Sequence, residues 1–455
     1  MEMELTALHW IYVVFIALII GFMVRRRDTT LICIVGISLL ALVATGSLAS
    51  SISGIFNSFI FAITELMSTI LIISIIVAMS TVLTKSGIND VMIAPFAKFI
   101  KNPTLAFWVI GIVMMMISWF FWPSPAVALL GAVLLPVALR AGLPALGVAM
   151  AMNLFGHGIA LSGDFIIQAA PKLTGDAASI PVGDVITASI PLVITMGVVT
   201  TISAFILLKR DMKLGKIKAA DTEGIVQEQT ISENLLTLGQ KKFFAIFIPI
   251  AFLLDVVALS ILKLQGGDAT ALVGGTAVFI LLILSLVAHK QQGLEKSTAY
   301  LIQGFQFGFK VFGPVIPIAA FFYLGDSGFN QIIGDYLPKT SLGIVNDLGA
   351  ALAASVPLTK EIAAVTLTGI GAITGLDGSG FSGISLAGSV AKLFGTAIGS
   401  GTATLTALGQ ITAIWVGGGT PSSTKNISCV YRKTQKSTAR INSVGPLTIP
   451  SAYSR

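Results

Sequence analysis

Asp377 is a carboxylate placed where a water-soluble group has to be justified. It belongs to Thr374-Gly375-Leu376-Asp377-Gly378-Ser379-Gly380-Phe381-Ser382-Gly383, a stretch set between apolar runs. Four glycines fall within the nine residues 375–383, too many for a continuous helix to carry cheaply. A loop at membrane depth explains them. Its open carbonyls and the hydroxyls of Ser379 and Ser382 would coordinate a cation or a substrate, with Asp377 as the ion ligand or proton carrier. The plain alternative is an Asp-Gly turn outside the membrane.

Two further segments carry possible chemistry. Trp119-Phe120-Phe121-Trp122-Pro123-Ser124-Pro125 brackets a serine with two prolines, each lacking an amide hydrogen and freeing a carbonyl one turn back. It is either a helix break whose free amides and Ser124 hydroxyl face an anion, or an interfacial turn with Trp119 and Trp122 as belt anchors. Asn153-Leu154-Phe155-Gly156-His157-Gly158 sets a histidine between glycines. His157 would contact substrate or relay protons there, or simply end a helix near the interface. The second half holds a matching Trp415-Val416-Gly417-Gly418-Gly419 without a histidine.

The elements that must position these groups are read from composition. Apolar residues make up 55% of the 455, charged residues 11%, and the mean hydropathy is +0.92. A soluble chain of this size needs more charge at its surface, so the chain is an all-α polytopic membrane protein bound to the lipid bilayer. Spanning about 30 Å of hydrocarbon takes roughly 20 residues. Runs that approach this length occupy residues 9–24, 31–48, 59–83, 104–121, 123–139, 143–161 and 184–208 in the first half. In the second they occupy 243–262, 269–288, 298–324 and 342–358, then a Gly-rich stretch 362–394 and a run 397–416.

The halves echo one another. Arg27-Asp28-Thr29-Thr30 corresponds to Gly267-Asp268-Ala269-Thr270, and Ser86-Gly87-Ile88-Asn89 to Ser327-Gly328-Phe329-Asn330, both about 240 residues apart. The triplet Arg25-Arg26-Arg27 orients the first helix with its end in the cytoplasm. Alternation then places Lys85, Lys98, Lys101 and the cluster Lys209–Lys218 inside, and Asp164, Asp176 and Asp184 outside. Seven crossings precede the linker, so the second half starts from the opposite side and the repeats are inverted, as in carriers that expose a midplane site alternately to each face.

The expected organisation is a first repeat over 1–208, a cytoplasmic linker over 209–242, a second inverted repeat over 243–418 and a polar basic tail over 419–455. The tail holds six of the basic residues behind the net charge of +7 and no acid, so the charge does not point to nucleic acid. The repeat calls for a further helix there. Either the tail is genuine or a last helix has been lost, as by a shifted reading frame, and the repeat favours the loss.

Cys33 and Cys429 are too few for a disulfide framework, and the three histidines are too dispersed for a zinc site. No phosphate-cradling GxxxxGK[ST] run occurs, and nothing suggests an enzyme or a tightly held cofactor. Glu65, Asp255 and Lys310 lie within apolar runs, Lys310 either snorkelling or neutralising an acid such as Asp377. Lys360-Glu361 reads as a solvated helix boundary.

The inverted halves, the paired Ser-Gly-x-Asn helix ends and the breaks around Ser124 and Asp377–Ser382 together resemble the ion transporter superfamily of secondary carriers, which includes gluconate permease-like, citrate and dicarboxylate carriers. The resemblance implies broken helices and re-entrant hairpins whose tips bind a carboxylate and its coupling ion, a homodimer, and the inner (cytoplasmic) membrane. On that basis Ser124, Asn153, Gly156, His157, Gly378, Ser379 and Ser382 would bind a small organic anion, and Asp377 the coupling sodium ion or proton. An ion-only sodium/proton antiporter, or a membrane scaffold or receptor that transports nothing, are the other readings.

Overall fold

The computed structural model describes residues 5–25, 27–217, 235–325, 328–355, 359–375 and 383–419. Within them the chain is helical and has no strand. The first half forms α1 (Ala7–Val24), α2 (Thr30–Thr45), α3 (Leu48–Ser86), α4 (Ile88–Ala97), α5 (Pro103–Phe121) and α6 (Pro123–Arg140). It continues through α7 (Ala145–Met152), a π-helical segment π1 (Asn153–Ala160), α8 (Leu161–Gly163), α9 (Ala169–Ala178) and α10 (Val182–Lys213). The second half forms α11 (Leu238–Leu262), α12 (Gly267–His289), α13 (Gly293–Phe312), α14 (Val315–Tyr323), α15 (Gly328–Ile332) and α16 (Ile344–Ser355). Then come α17 (Lys360–Thr374), α18 (Ile384–Ile398), α19 (Thr402–Ile414) and a second π-helical segment, π2 (Trp415–Gly419). Seven helices among the described residues are long and apolar enough to cross a membrane. The protein is an all-α polytopic membrane protein.

Local chemistry sets the helix boundaries. The Asn102 side chain accepts from the Leu105 amide at 2.8 Å, and Pro103 follows at a position that needs no amide hydrogen, which together start α5. A reciprocal Thr237–Gln240 capping box starts α11. The first Ser-Gly-x-Asn signature is the expected helix end, whereas the second is not. Gly87 takes φ 69°, which halts the 39-residue α3, and Asn89 Nδ2 donates to Thr84 Oγ1 at 2.9 Å. In the second copy Ser327 lies outside the described residues and Gly328 opens α15.

Several elements of the first half have counterparts in the second. The pair α5–α6, turned at Trp122, corresponds to α17–α18, which flank residues 376–382, and α7–π1 corresponds to α19–π2. Contacts follow the same exchange: α4 packs on α6 as α16 packs on α18, and α2 packs on α14 while α12 packs on α3. The counterparts α3 and α13–α14 lie side by side in opposite directions. Phe61 meets the Tyr323 ring at 5.6 Å, Ser74 lies against Gly304, and Lys85 Nζ stands 5.1 Å above the Tyr300 ring. Position rises along α3 as it falls along α13–α14, the antiparallel arrangement that inverted repeats would require.

The N-terminal helix is tied to the second half by a buried polar link. The Thr6 amide donates to His9 Nδ1 at 3.1 Å, so the neutral ring carries its hydrogen on Nε2 and donates it to Asp347 Oδ2 at 3.0 Å. Asp347 also accepts from the Ser341 hydroxyl and, at 3.1 Å, from the Leu342 amide. Asp347→Ala leaves these donors without their acceptor, at roughly 1–3 kcal/mol for each buried group. The thermal midpoint of the purified protein in detergent, followed by tryptophan fluorescence, will fall clearly, and less in Asp347→Asn, which keeps an acceptor oxygen.

Some expectations are redrawn. Asp164, which alternation places on the outer side, is buried, because residues 169–178 form a helix whose Ala170 amide donates to the Asp164 carboxylate. That ten-residue segment is too polar and short to register as an apolar run. The 362–394 stretch is two helices, α17 and α18, and the 298–324 run is broken between α13 and α14. Lys310, Lys360 and Glu361 are exposed, as a snorkelling lysine and a solvated boundary require.

Candidate functional site

The two π-helical segments pack against each other where the halves meet. A π turn widens the helix by one residue, leaves backbone groups imperfectly paired, and is characteristic of functional sites. Close approach depends on glycines. A Cβ at Gly158 would stand 2.7 Å from Cη2 of Trp415, and one at Gly418 would stand 3.0 Å from the Cβ of His157. Gly156 is equally tight: a Cβ there would lie 2.5 Å from Met114 Cε and 3.1 Å from Ser118 Oγ. Side chains from α5, π1 and π2 thus converge on one junction.

Around that junction several polar atoms have no hydrogen-bond partner among the described residues: Ser118 Oγ, His157 Nδ1 and Trp415 Nε1. Ser118 and Trp415 are almost wholly buried, whereas His157 is half-buried. Buried polar groups in native proteins are paired, so a concentration of unpaired ones at one place calls for an occupant, water or ligand. Trp415 and Ser118 offer hydrogens, and His157 offers either a hydrogen or a lone pair. Such a set suits a small polar ligand with acceptor oxygens.

The hairpin turn lies one helical turn beyond Ser118. Trp122 adopts φ 60° and ψ 138°, a region that costs a side-chain-bearing residue about 1–3 kcal/mol. Pro123 forbids helical geometry at the preceding residue, which accounts for the break. Ser124 then sits in the first turn of α6. On the other half, Gly375 packs against Ala413 and Gly417, and Gly383 against Thr374. The residues that flank 376–382 therefore meet each other and border π2.

The chain breaks again at residues 164–168, between α8 and α9. Asp164 and Gln168 both take positive φ, at 41° and 61°. The Asp164 carboxylate accepts from the Ala170 amide at 2.8 Å, and Gln168 Oε1 accepts from the Gly266 amide at 2.7 Å. Gln410 of α19 bridges the break from the opposite half. Its Nε2 donates to the Ser162 carbonyl at 2.8 Å, and its Oε1 accepts from Thr174 Oγ1 at 2.6 Å. Gln410→Leu, close in volume, orphans both partners at roughly 1–3 kcal/mol each. Hydrogen exchange followed by mass spectrometry will show faster exchange at residues 160–175 in that variant.

Of the residues expected to act, Asn153, Gly156 and His157 are in π1 at the junction, and Ser124 is at the adjoining hairpin. Asp377, Gly378, Ser379 and Ser382 lie outside the described residues. Ser118, Trp415 and Gln410 were not assigned a role from sequence. Gln410 had a readable signal, a lone amide within the apolar run 397–416, and Lys392 in α18 had the same one. Asp255, unexplained in sequence, accepts from Thr276 Oγ1 at 2.9 Å.

Over 422 residues the chain is 58% identical to the uncharacterized membrane protein YhfA of Bacillus subtilis (strain 168), covering 92% of this chain and 90% of that protein. No family model and no solved structure matches it. Identity of this degree over nearly the full length, together with the spanning helices, leads to one conclusion: the chain belongs to the family of multi-pass membrane proteins that includes YhfA.

Proposed function

We propose that the protein is a secondary active transporter that moves a small organic anion across the cytoplasmic membrane, coupled to a proton or a sodium ion. The observation that carries this reading is the set of unpaired buried polar atoms at the π1–π2 junction, on the seam between inverted repeats. Inverted repeats are the architecture of alternating access, with the site near the midplane where they meet. In this reading the Ser118 hydroxyl, the Trp415 indole and His157 donate to the carboxylate, and Asn153 lines its path. The narrow approach at Gly156 keeps backbone close to the ligand. Ser124, Gly378, Ser379 and Ser382 complete the anion site from the hairpin tips, and Asp377 holds the coupling ion. The homodimer implied by the resemblance to secondary carriers belongs to the same proposal.

Reconstitution into proteoliposomes tests it. Uptake of at least one member of a panel of labelled mono-, di- and tricarboxylates is expected, driven by an inward proton or sodium gradient and lost in Asp377→Asn. Sodium/proton exchange with no carboxylate movement would select the antiporter instead. Neither activity in folded protein would leave the scaffold or receptor reading.

A further inference from the structure

A second cavity, of about 350 Å³, lies apart from the π1–π2 junction, where the end of α9 meets α3 and α14. Its lining includes Glu65, Asp176, Tyr323 and the rings of Phe61 and Phe322. Glu65 sits midway along α3, half-buried, and has no ion-pair partner among the described residues. Asp176 is held by Lys172 at 2.5 Å, one turn away on α9. The Tyr323 side chain is more than nine-tenths buried, and its hydroxyl has no hydrogen-bond partner among the described residues.

The lining is one-sided in charge. Lys172 and Lys392 are nearby, but neither lines the cavity, and Lys392 Nζ donates to Ser179 Oγ at 2.9 Å. The charged groups that line the space are both carboxylates, Glu65 and Asp176, beside the Tyr323 phenol and the neutral polar side chains of Ser179 and Gln331. An uncompensated carboxylate on a membrane helix and a buried phenol with no partner are both costly. One occupant relieves both: a positive charge coordinated by Glu65, Asp176 and the Tyr323 oxygen, with the phenol hydrogen turned to a carboxylate. Water alone would solvate the groups but leave the charge of Glu65 unpaired.

We propose that this cavity is a binding site for a small monovalent cation, an alkali-metal ion or an ammonium group. The two sources share the chemistry of a positive charge satisfied by these oxygens. An ammonium group would add three hydrogens and an attraction to the Phe61 and Phe322 faces. The site is independent of the anion-transport reading and is tested without uptake.

Isothermal titration of the purified full-length protein with sodium, potassium and ethylammonium chlorides, each in low-salt buffer, provides the test. At least one is expected to give a saturable isotherm. Its affinity should fall about tenfold in Glu65→Gln, which removes the charge. It should fall about threefold in Tyr323→Phe, which removes only the oxygen. Both substitutions preserve shape, and thermal midpoints measured alongside confirm folding. Saturation by ethylammonium alone assigns an organic amine, and saturation by sodium or potassium alone assigns an alkali ion. No saturable binding of any of the three, or affinity unchanged in both folded variants, overturns the site.

Discussion

Gly304→Val prevents recovery of a folded protein. Gly304 lies in the seam where α13 runs antiparallel to α3. A Cβ built there enters the van der Waals envelope of the Ser74 carbonyl oxygen and stands 2.9 Å from that carbonyl's carbon. The obstacle is backbone of a 39-residue helix, which cannot rotate aside. The two helices must separate, and the loss extends along the whole contact because membrane helices associate through close packing and not through a hydrophobic drive. Overpacking in a dense core costs about 1–3 kcal/mol even where side chains can yield, and more where they cannot. Size-exclusion chromatography of detergent-solubilised protein is expected to show aggregate in place of the monodisperse peak. Gly308→Ala is the control. There the obstruction is the Ser74 hydroxyl, which can turn away, so the peak is expected to survive and to recover fully when Ser74→Ala is added.

His157→Ala has the opposite character: the fold persists and ligand handling fails. His157 Nδ1 has no partner among the described residues, so truncation forfeits none of its hydrogen bonds, and the half-buried ring gives up little packing. A hydrogen bond to a charged ligand is worth about 1.5–3 kcal/mol, which raises the half-saturating anion concentration roughly 10- to 100-fold. Concentration-dependent uptake in proteoliposomes measures this, beside an unchanged thermal midpoint. His157→Gln keeps a donor and should recover part of the loss. A lowered midpoint with normal uptake in His157→Ala would make His157 a structural residue.

What the sequence disclosed follows from how local each determinant is. The first Ser-Gly-x-Asn signature was legible because a residue at positive φ, Gly87, ends α3, and composition records that need in place. The break at Trp122 was legible for the same reason: proline acts on the backbone of its own neighbourhood. The expectation of inversion came from counting spans and basic residues. The Asp164–Gln168 break was hidden because α9 is short and polar. Gln410 and His9 find their partners 248 and 338 residues away, which no local pattern encodes. The π geometry of residues 153–160 and 415–419 arises from packing one half on the other. Only the glycines at 156, 158 and 418 marked it beforehand. Asn153–His157 were singled out from sequence and lie at the π1–π2 junction, while Ser118 and Trp415 emerged only when folding brought α5 and π2 together.

The central claim is that the π1–π2 junction opens to each side of the membrane in turn. Ser118→Cys, in a chain with Cys33 and Cys429 replaced by serine, places one thiol at that junction. Its labelling by a membrane-impermeant maleimide can be measured in right-side-out and inside-out vesicles. Reaction from both faces, slowed on both by the transported anion, is the predicted result. A thiol that reacts from one face only, or from neither in folded protein, would contradict the claim.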